Sequence, residues 1–165
     1  MLKIGLVGVG GISGAHIPAW NAMEDTTLTA ICDIRPERME PYLEPHHYTS
    51  IDEMLEKEEL DILDICLPTY LHVPTAVKAM KKGIHVLSEC TSNGTMAEGV
   101  ALVRAARKSG AFYMLAENYP FMLFNQEIRR VYQEGPLGQV MFAEGEYNHP
   151  ADLYNAEYSA SLRDD

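Results

Sequence analysis

The sequence has no CxxC pair, no apolar stretch long enough to cross a bilayer, and few basic residues. Each shortage closes off a class of protein. The three cysteines, Cys32, Cys66 and Cys90, are odd in number and far apart, so neither a disulfide frame nor a zinc site is suggested. Lys and Arg number 13 against 24 Asp and Glu, a formal net charge of -11. That balance argues against nucleic acid or an anionic membrane as a partner, because phosphates need a basic patch. It leaves room for a small anion held by backbone amides. The N-terminal MLKIGLVGVGGISG is apolar but short and glycine-rich. It lacks the long apolar core and small-residue cleavage site of a signal peptide. There is no internal repeat and no low-complexity segment. What remains is the expectation of a reduced, cytoplasmic, soluble protein, and 165 residues suffice for a domain with a real core.

What is present is an alternation. Strand-like runs occupy 2–8, 27–33, 61–67, 84–89, 111–117 and 139–147. Helical patterns fall between them at 11–23, 36–42, from Ser50, from about Val73, at 95–109 and along Phe121, Phe124, Ile128 and Val131. Val73, Ala76, Val77 and Met80 lie at i, i+3, i+4 and i+7, one apolar face of a helix that Lys81-Lys82-Gly83 closes. Ser50 with Glu53 and Thr95 with Glu98 have the spacing of capping boxes. Strand and helix in strict turn predict an α/β fold: a doubly wound parallel sheet with helices on both faces and right-handed crossovers. The run 139–147 has no partner strand after it. The polar, aromatic tail from Asn148 shows no period and reads either as a C-terminal arm or as the opening of a domain that is cut short.

Gly8-Val9-Gly10-Gly11-Ile12-Ser13 sits where the first strand should hand over to the first helix. This is G-x-G-x-x-G/A with serine in the third place. Gly8 permits a tight turn, Gly10 lets backbone approach a pyrophosphate, and a small Ser13 allows helix and strand to pack. The pyrophosphate would rest on the helix N-terminus, where free N–H groups and the dipole favour an anion. Asp33 stands twenty residues beyond Ser13, at the end of the second strand. A carboxylate there accepts hydrogen bonds from ribose hydroxyls and favours NAD. Arg35 beside it keeps NADP open, since a guanidinium can accommodate a 2′-phosphate.

Ligands of doubly wound sheets lie outside the carboxyl ends of the strands. Leu67-Pro68-Thr69, Glu89-Cys90-Thr91 and Glu117-Asn118-Tyr119 each follow a strand, and together should line the nicotinamide half of the crevice. His72, placed just ahead of a helix starting near Val73, reads equally as a packing histidine and as a cofactor contact. His16 reads as packing, and His46-His47 as surface loop. Cys32 and Cys66 read as small buried hydrophobes. Cys90 is the cysteine nearest a substrate.

GLVGVGGISGAH, CDIRPER and DILDICLPTYLHVPTAVKAMKKGIHVLSE together resemble the Gfo/Idh/MocA oxidoreductases, over about residues 2 to 149. The resemblance implies a dinucleotide-binding Rossmann domain at 1–119. Residues 120–165 would then be a linking helix and the first strand of a truncated substrate domain. It implies NAD, with NADP possible, hydride transfer to or from a sugar or polyol hydroxyl, a carbohydrate-like substrate and a homo-oligomer. It also implies a cofactor site drawn from Gly8, Gly10, Gly11, Ile12, Ser13, Asp33, Arg35, Leu67, Thr69, His72, Glu89 and Asn118. Two departures stand out. The family's Glu-Lys-Pro is Glu89-Cys90-Thr91 here, and a neutral thiol cannot replace the lysine's charge. The family's catalytic histidine or aspartate belongs to the second domain, so no base can be named. Relatives include NAD-dependent glycosidases that oxidise and re-reduce a sugar, which makes a redox-neutral glycosidase or lyase the alternative. A non-catalytic nucleotide-binding remnant is the third reading.

Overall fold

The computed structural model describes residues 1–146. The described residues fall into two units, Met1–Ala116 and a second that begins at Glu117. The first unit contains a parallel sheet of six strands in the order β3-β2-β1-β4-β5-β6. The strands are β1 (Leu2–Val7), β2 (Thr26–Cys32), β3 (His46–Tyr48), β4 (Ile62–Ile65), β5 (His85–Ser88) and β6 (Tyr113–Leu115). The helices between them are α1 (Ser13–Ala22), α2 (Ile51–Lys57), α3 (Thr69–Lys81) and α4 (Met96–Ser109). The chain winds outward from β1 in one direction, then returns to β4 on its other side. This is the doubly wound order, and its switch point lies between β1 and β4.

Alternation along the strands builds a core on each face. Ile4 and Leu6 of β1 pack with Ile17 of α1, Leu28, Ile31 and Met39. Val7, on the opposite pleat, joins Leu63 and Ile65 of β4, Val73, Ala76 and Met80 of α3, and Leu102 of α4. The second face covers its strands with α2, α3 and α4, and β4 is apolar at Ile62, Leu63 and Ile65, as buried parallel strands are, while Asp64 and, in β5, Ser88 are buried polar exceptions.

The capping signals hold. The Thr95 hydroxyl accepts from the Glu98 N–H at 3.2 Å while the Glu98 carboxylate accepts from the Thr95 N–H at 2.8 Å, a complete capping box. Ser50 accepts from the Glu53 N–H at 3.4 Å. Gly110, at φ 72°, ends α4 in the left-handed conformation.

Four expectations are corrected. His46 and His47 are not loop but part of β3, the edge strand, where Glu58 accepts from the Tyr48 hydroxyl and bonds His46. The expected helix over 36–42 is a single 3₁₀ turn, Pro36–Arg38. Helix α3 begins at Thr69, a turn ahead of Val73, because Pro68 precedes its first turn and nothing in 69–72 breaks it. The strand expected at 139–147 is irregular over 139–146, and Tyr147 lies outside the described residues. A strand exists only as half of a ladder, and no described strand pairs with it.

Within the second unit the described residues form a 3₁₀ turn, Tyr119–Phe121, and helix α5 (Leu123–Glu134), closed by Gly135 at φ 76°. None of the helices in the described residues is long and apolar enough to cross a membrane.

Candidate dinucleotide site

The carboxyl ends of β1, β2, β4 and β5 meet around the switch point. Gly8 leaves β1 at φ 90°, and a Cβ there would stand 2.3 Å from the Cys66 carbonyl oxygen. Only glycine allows both that dihedral and that approach. The protein's own packing does not explain the next two glycines. A Cβ on Gly10 would reach only the Arg38 guanidinium, 3.8 Å away, and one on Gly11 would meet nothing within 4 Å. That open space is what a pyrophosphate pressed against backbone requires. Ile12 occupies the N-cap position of α1 with no side-chain cap on the helix, and the first turn closes on itself, the Gly14 and Ala15 N–H groups donating to the Gly11 and Ile12 carbonyls at 3.3 and 2.9 Å. Ser13 is buried and its hydroxyl donates to the Gly10 carbonyl at 2.7 Å, which closes the loop.

Asp33 does more than face outward. One oxygen accepts from the Val9 N–H at 2.8 Å and the other from the Arg35 N–H at 2.8 Å. The carboxylate therefore braces the glycine loop while keeping lone pairs free on both oxygens for further donors. The guanidinium beside it belongs to Arg38, with Nη1 at 3.6 Å from Asp33. The Arg35 side chain is exposed, and its backbone N–H is the donor to Asp33. Arg38 was not legible in the sequence because the 3₁₀ turn that carries it back toward Asp33 was read as a longer helix.

On the far side, Leu67 follows β4 half-buried and Thr69 opens α3. Glu89 follows β5, pinned by its N–H to the Ile65 carbonyl at 2.9 Å. Its Oε2 accepts from the Cys90 N–H at 3.0 Å. The Cys90 thiol is exposed, and the Cys90–Thr91 peptide is cis. Asn118 lies in the second unit, ahead of the 3₁₀ turn there.

His72 is corrected as a cofactor contact. It is buried within α3 at 1% exposure, with Nε2 at 2.6 Å from the Leu67 carbonyl and Nδ1 at 2.7 Å from the Thr91 carbonyl. Both ring nitrogens are used in tying the loops after β4 and β5 together, so no polar atom of the ring is left for a ligand.

His16 is corrected in the other direction. It was expected to pack, yet its Nδ1 lies 2.8 Å from Asp64 and its Nε2 3.0 Å from Glu89. Trp20, one turn further along α1, donates its indole N–H to Asp64 at 2.6 Å. The Asp64 hydrogen bond, reinforced by Glu89 against the opposing effect of burial, raises the imidazole to about 9. A signal existed in the sequence: Asp64 is an acid inside the apolar run DILDICL, and a buried carboxylate needs donors. Burial pushes the Cys32 thiol up to about 12 and the Cys66 thiol up as well, so both stay neutral.

Comparison with known proteins agrees with this fold. The model of the Gfo/Idh/MocA oxidoreductase family, NAD-binding Rossmann fold, matches residues 2–117. An α-N-acetylgalactosaminidase of Tannerella forsythia is 30% identical over 176 residues, covering 98% of this chain and 37% of that protein. A glycosyl hydrolase family 109 protein of Saccharopolyspora erythraea is 26% identical, covering 90% and 35% respectively. Among solved structures, the WlbA dehydrogenase of Bordetella pertussis, in complex with NADH and UDP-GlcNAcA, superposes with a TM-score of 0.79 at 28% identity. That match covers 83% of this chain and 43% of the dehydrogenase. The scyllo-inositol dehydrogenase of Lactobacillus casei has the same TM-score, 0.79, at 19% identity and supports the fold alone. The chain spans about 35 to 40% of the length of the curated relatives it matches.

Proposed function

The chain belongs to the Gfo/Idh/MocA oxidoreductase family, with its NAD-binding Rossmann fold, and from that premise we propose that it is the dinucleotide half of a carbohydrate-acting enzyme. The reaction class is hydride transfer between a sugar or polyol carbon and nicotinamide. The observation that carries this reading is the braced loop: Asp33 holds Val9 at 2.8 Å beside two glycines that the protein's packing does not require. Gly10, Gly11, Ile12 and Ser13 would hold the pyrophosphate at the N-terminus of α1. Asp33 would take the ribose hydroxyls, which favours NAD, while Arg38 lies close enough to steady a phosphate. Leu67, Thr69 and Glu89 are assigned to the nicotinamide half. A nicotinamide held there would supply the hydride chemistry, and the residues named would bind and orient it. The residues of this chain bind and orient, and no side chain in it is assigned as the base that takes the proton.

Calorimetric titration of the chain with NAD and with NADP tests the reading. NAD is expected to bind in preference to NADP. No binding of either at millimolar concentration would sink the proposal.

A second reading is favoured by one residue and by the relatives. Cys90 stands where the resemblance leads one to expect a lysine, and matching proteins are named α-N-acetylgalactosaminidases. A redox-neutral glycosidase would keep NAD through purification of the full-length gene product and turn over a glycoside with no accumulation of NADH. A dehydrogenase would accumulate NADH in step with sugar oxidised.

A further inference from the structure

Residues 16, 64 and 89 lie on α1, on β4 and just after β5, and they meet in one hydrogen-bonded bridge. Asp64 is fully buried and accepts from both His16 and Trp20. Glu89 uses one oxygen for His16 and the other for the Cys90 N–H. We propose that His16 is a positioning residue of the dinucleotide site, fixing the Glu89 carboxylate and through it the backbone at Cys90 that lines the nicotinamide edge. This rests on the site assignment made above.

The geometry requires a cation. A neutral imidazole has one N–H and one lone pair, so one of its nitrogens would press a lone pair against a carboxylate oxygen at 2.8 or 3.0 Å. The imidazolium donates from both nitrogens and offsets the charge of two acids that stand on neighbouring strands. The titratable groups that face it are Asp64 and Cys66, from β4 and its end, and Glu89 after β5. The donor atoms of His16, Asp64 and Cys66 also fall within 4.8 Å of one another. Both imidazole nitrogens are already bonded to carboxylates, however, and burial keeps the Cys66 thiol protonated. The cluster is closed by protons.

Helix α1 gives the bridge its reach. Ser13, His16, Ile17 and Trp20 fall on one face of that helix, so the segment whose N-terminus is offered to the pyrophosphate also grips the strand ends beneath the nicotinamide edge. The imidazole is raised from 6.5 to about 9, so its charge is complete at and below neutral pH. The stabilisation it adds is full below pH 6.5 and is lost as pH climbs through about 9.

Two measurements test the bridge. The first follows the His16 ring by NMR during a pH titration of the ligand-free chain. It should titrate near pH 9, and Glu89→Gln should move that midpoint down. A midpoint near 6.5, or one that Glu89→Gln leaves in place, overturns the inference. The second measures NAD affinity across pH. His16→Gln should bind NAD about tenfold more weakly at pH 7, the effect of losing one charge-assisted hydrogen bond. It should also lose the decline in affinity that the native chain shows as pH rises through about 9. A merely structural histidine would lower affinity at every pH and leave that decline in place. If His16→Gln does not fold, the NMR titration of the native chain decides alone, with a midpoint near 9 expected and one near 6.5 overturning the inference. A native chain that binds NAD, beside variants that bind it equally well, overturns this inference alone. A native chain that binds no NAD overturns the site assignment and this inference with it.

Discussion

Helices α3 and α5 bear the same kind of apolar stripe and meet opposite fates. In α3, Val73, Ala76 and Met80 are sealed against the sheet, Ala76 and Met80 with no exposed surface at all. In α5, Phe124, Ile128 and Tyr132, four residues apart, also share one helix face, and each is more than half exposed. No described residue of α5 is buried. Its local support comes from short-range contacts: Arg130 bonds Glu127 and Glu134 along the helix surface, and the Tyr119 and Phe124 rings meet edge to face at 6.5 Å. Exposed pairs of that kind contribute little, because solvent screens them. The lesson is that periodicity marks which face of a helix seeks cover. Whether cover arrives depends on paired strands, and α3 lies between two that pair directly, β4 and β5.

That contrast can be broken by substitution. Met80→Ala should cost the most, about 2–5 kcal/mol in urea unfolding, because the void it leaves is surrounded by packed sheet and helix. A loss below about 1 kcal/mol would mean that α3 is not anchored as described. Thr95→Ala should cost less, about 1 kcal/mol, by removing one half of the α4 capping box. Its effect should be matched by loss of amide protection in the first turn of α4 under hydrogen exchange. Ile128→Ala should cost least, within about 0.5 kcal/mol, since its side chain is exposed in α5. If Ile128→Ala proves as damaging as Met80→Ala, the two helices are equally buried in solution and the contrast fails.

The same division runs through what the sequence made readable. The strand and helix alternation, the glycine loop and the two serine and threonine caps are local, and each was recognised from residues within a few positions of one another. The loop after β5 was placed correctly at a strand end. The errors came where a feature depends on something distant. Strand β3 is three residues long and owes its existence to the β2 ladder. The segment 139–146 has strand-like composition and no described partner. His72 reads equally as packing and as a contact in the sequence, and inside α3 its ring faces the backbone carbonyls of Leu67 and Thr91, the latter 19 positions away. Arg38 came into the site only through a tight turn that shortened the expected helix.

The sequence by itself determined that a glycine loop would join a buried strand to a helix, that an acid would follow the second strand, and that the chain would wind as alternating strands and helices. Those properties follow from dihedral limits and apolar periods of two and 3.6 residues. Only the tertiary structure decided that His16 is a charged bridge and not a packed ring. His16 and Glu89 are 73 positions apart. No local rule couples residues that far apart. The parallel order of β1, β4 and β5 brings them together, and the ring held between the Asp64 and Glu89 carboxylates favours a proton on the imidazole.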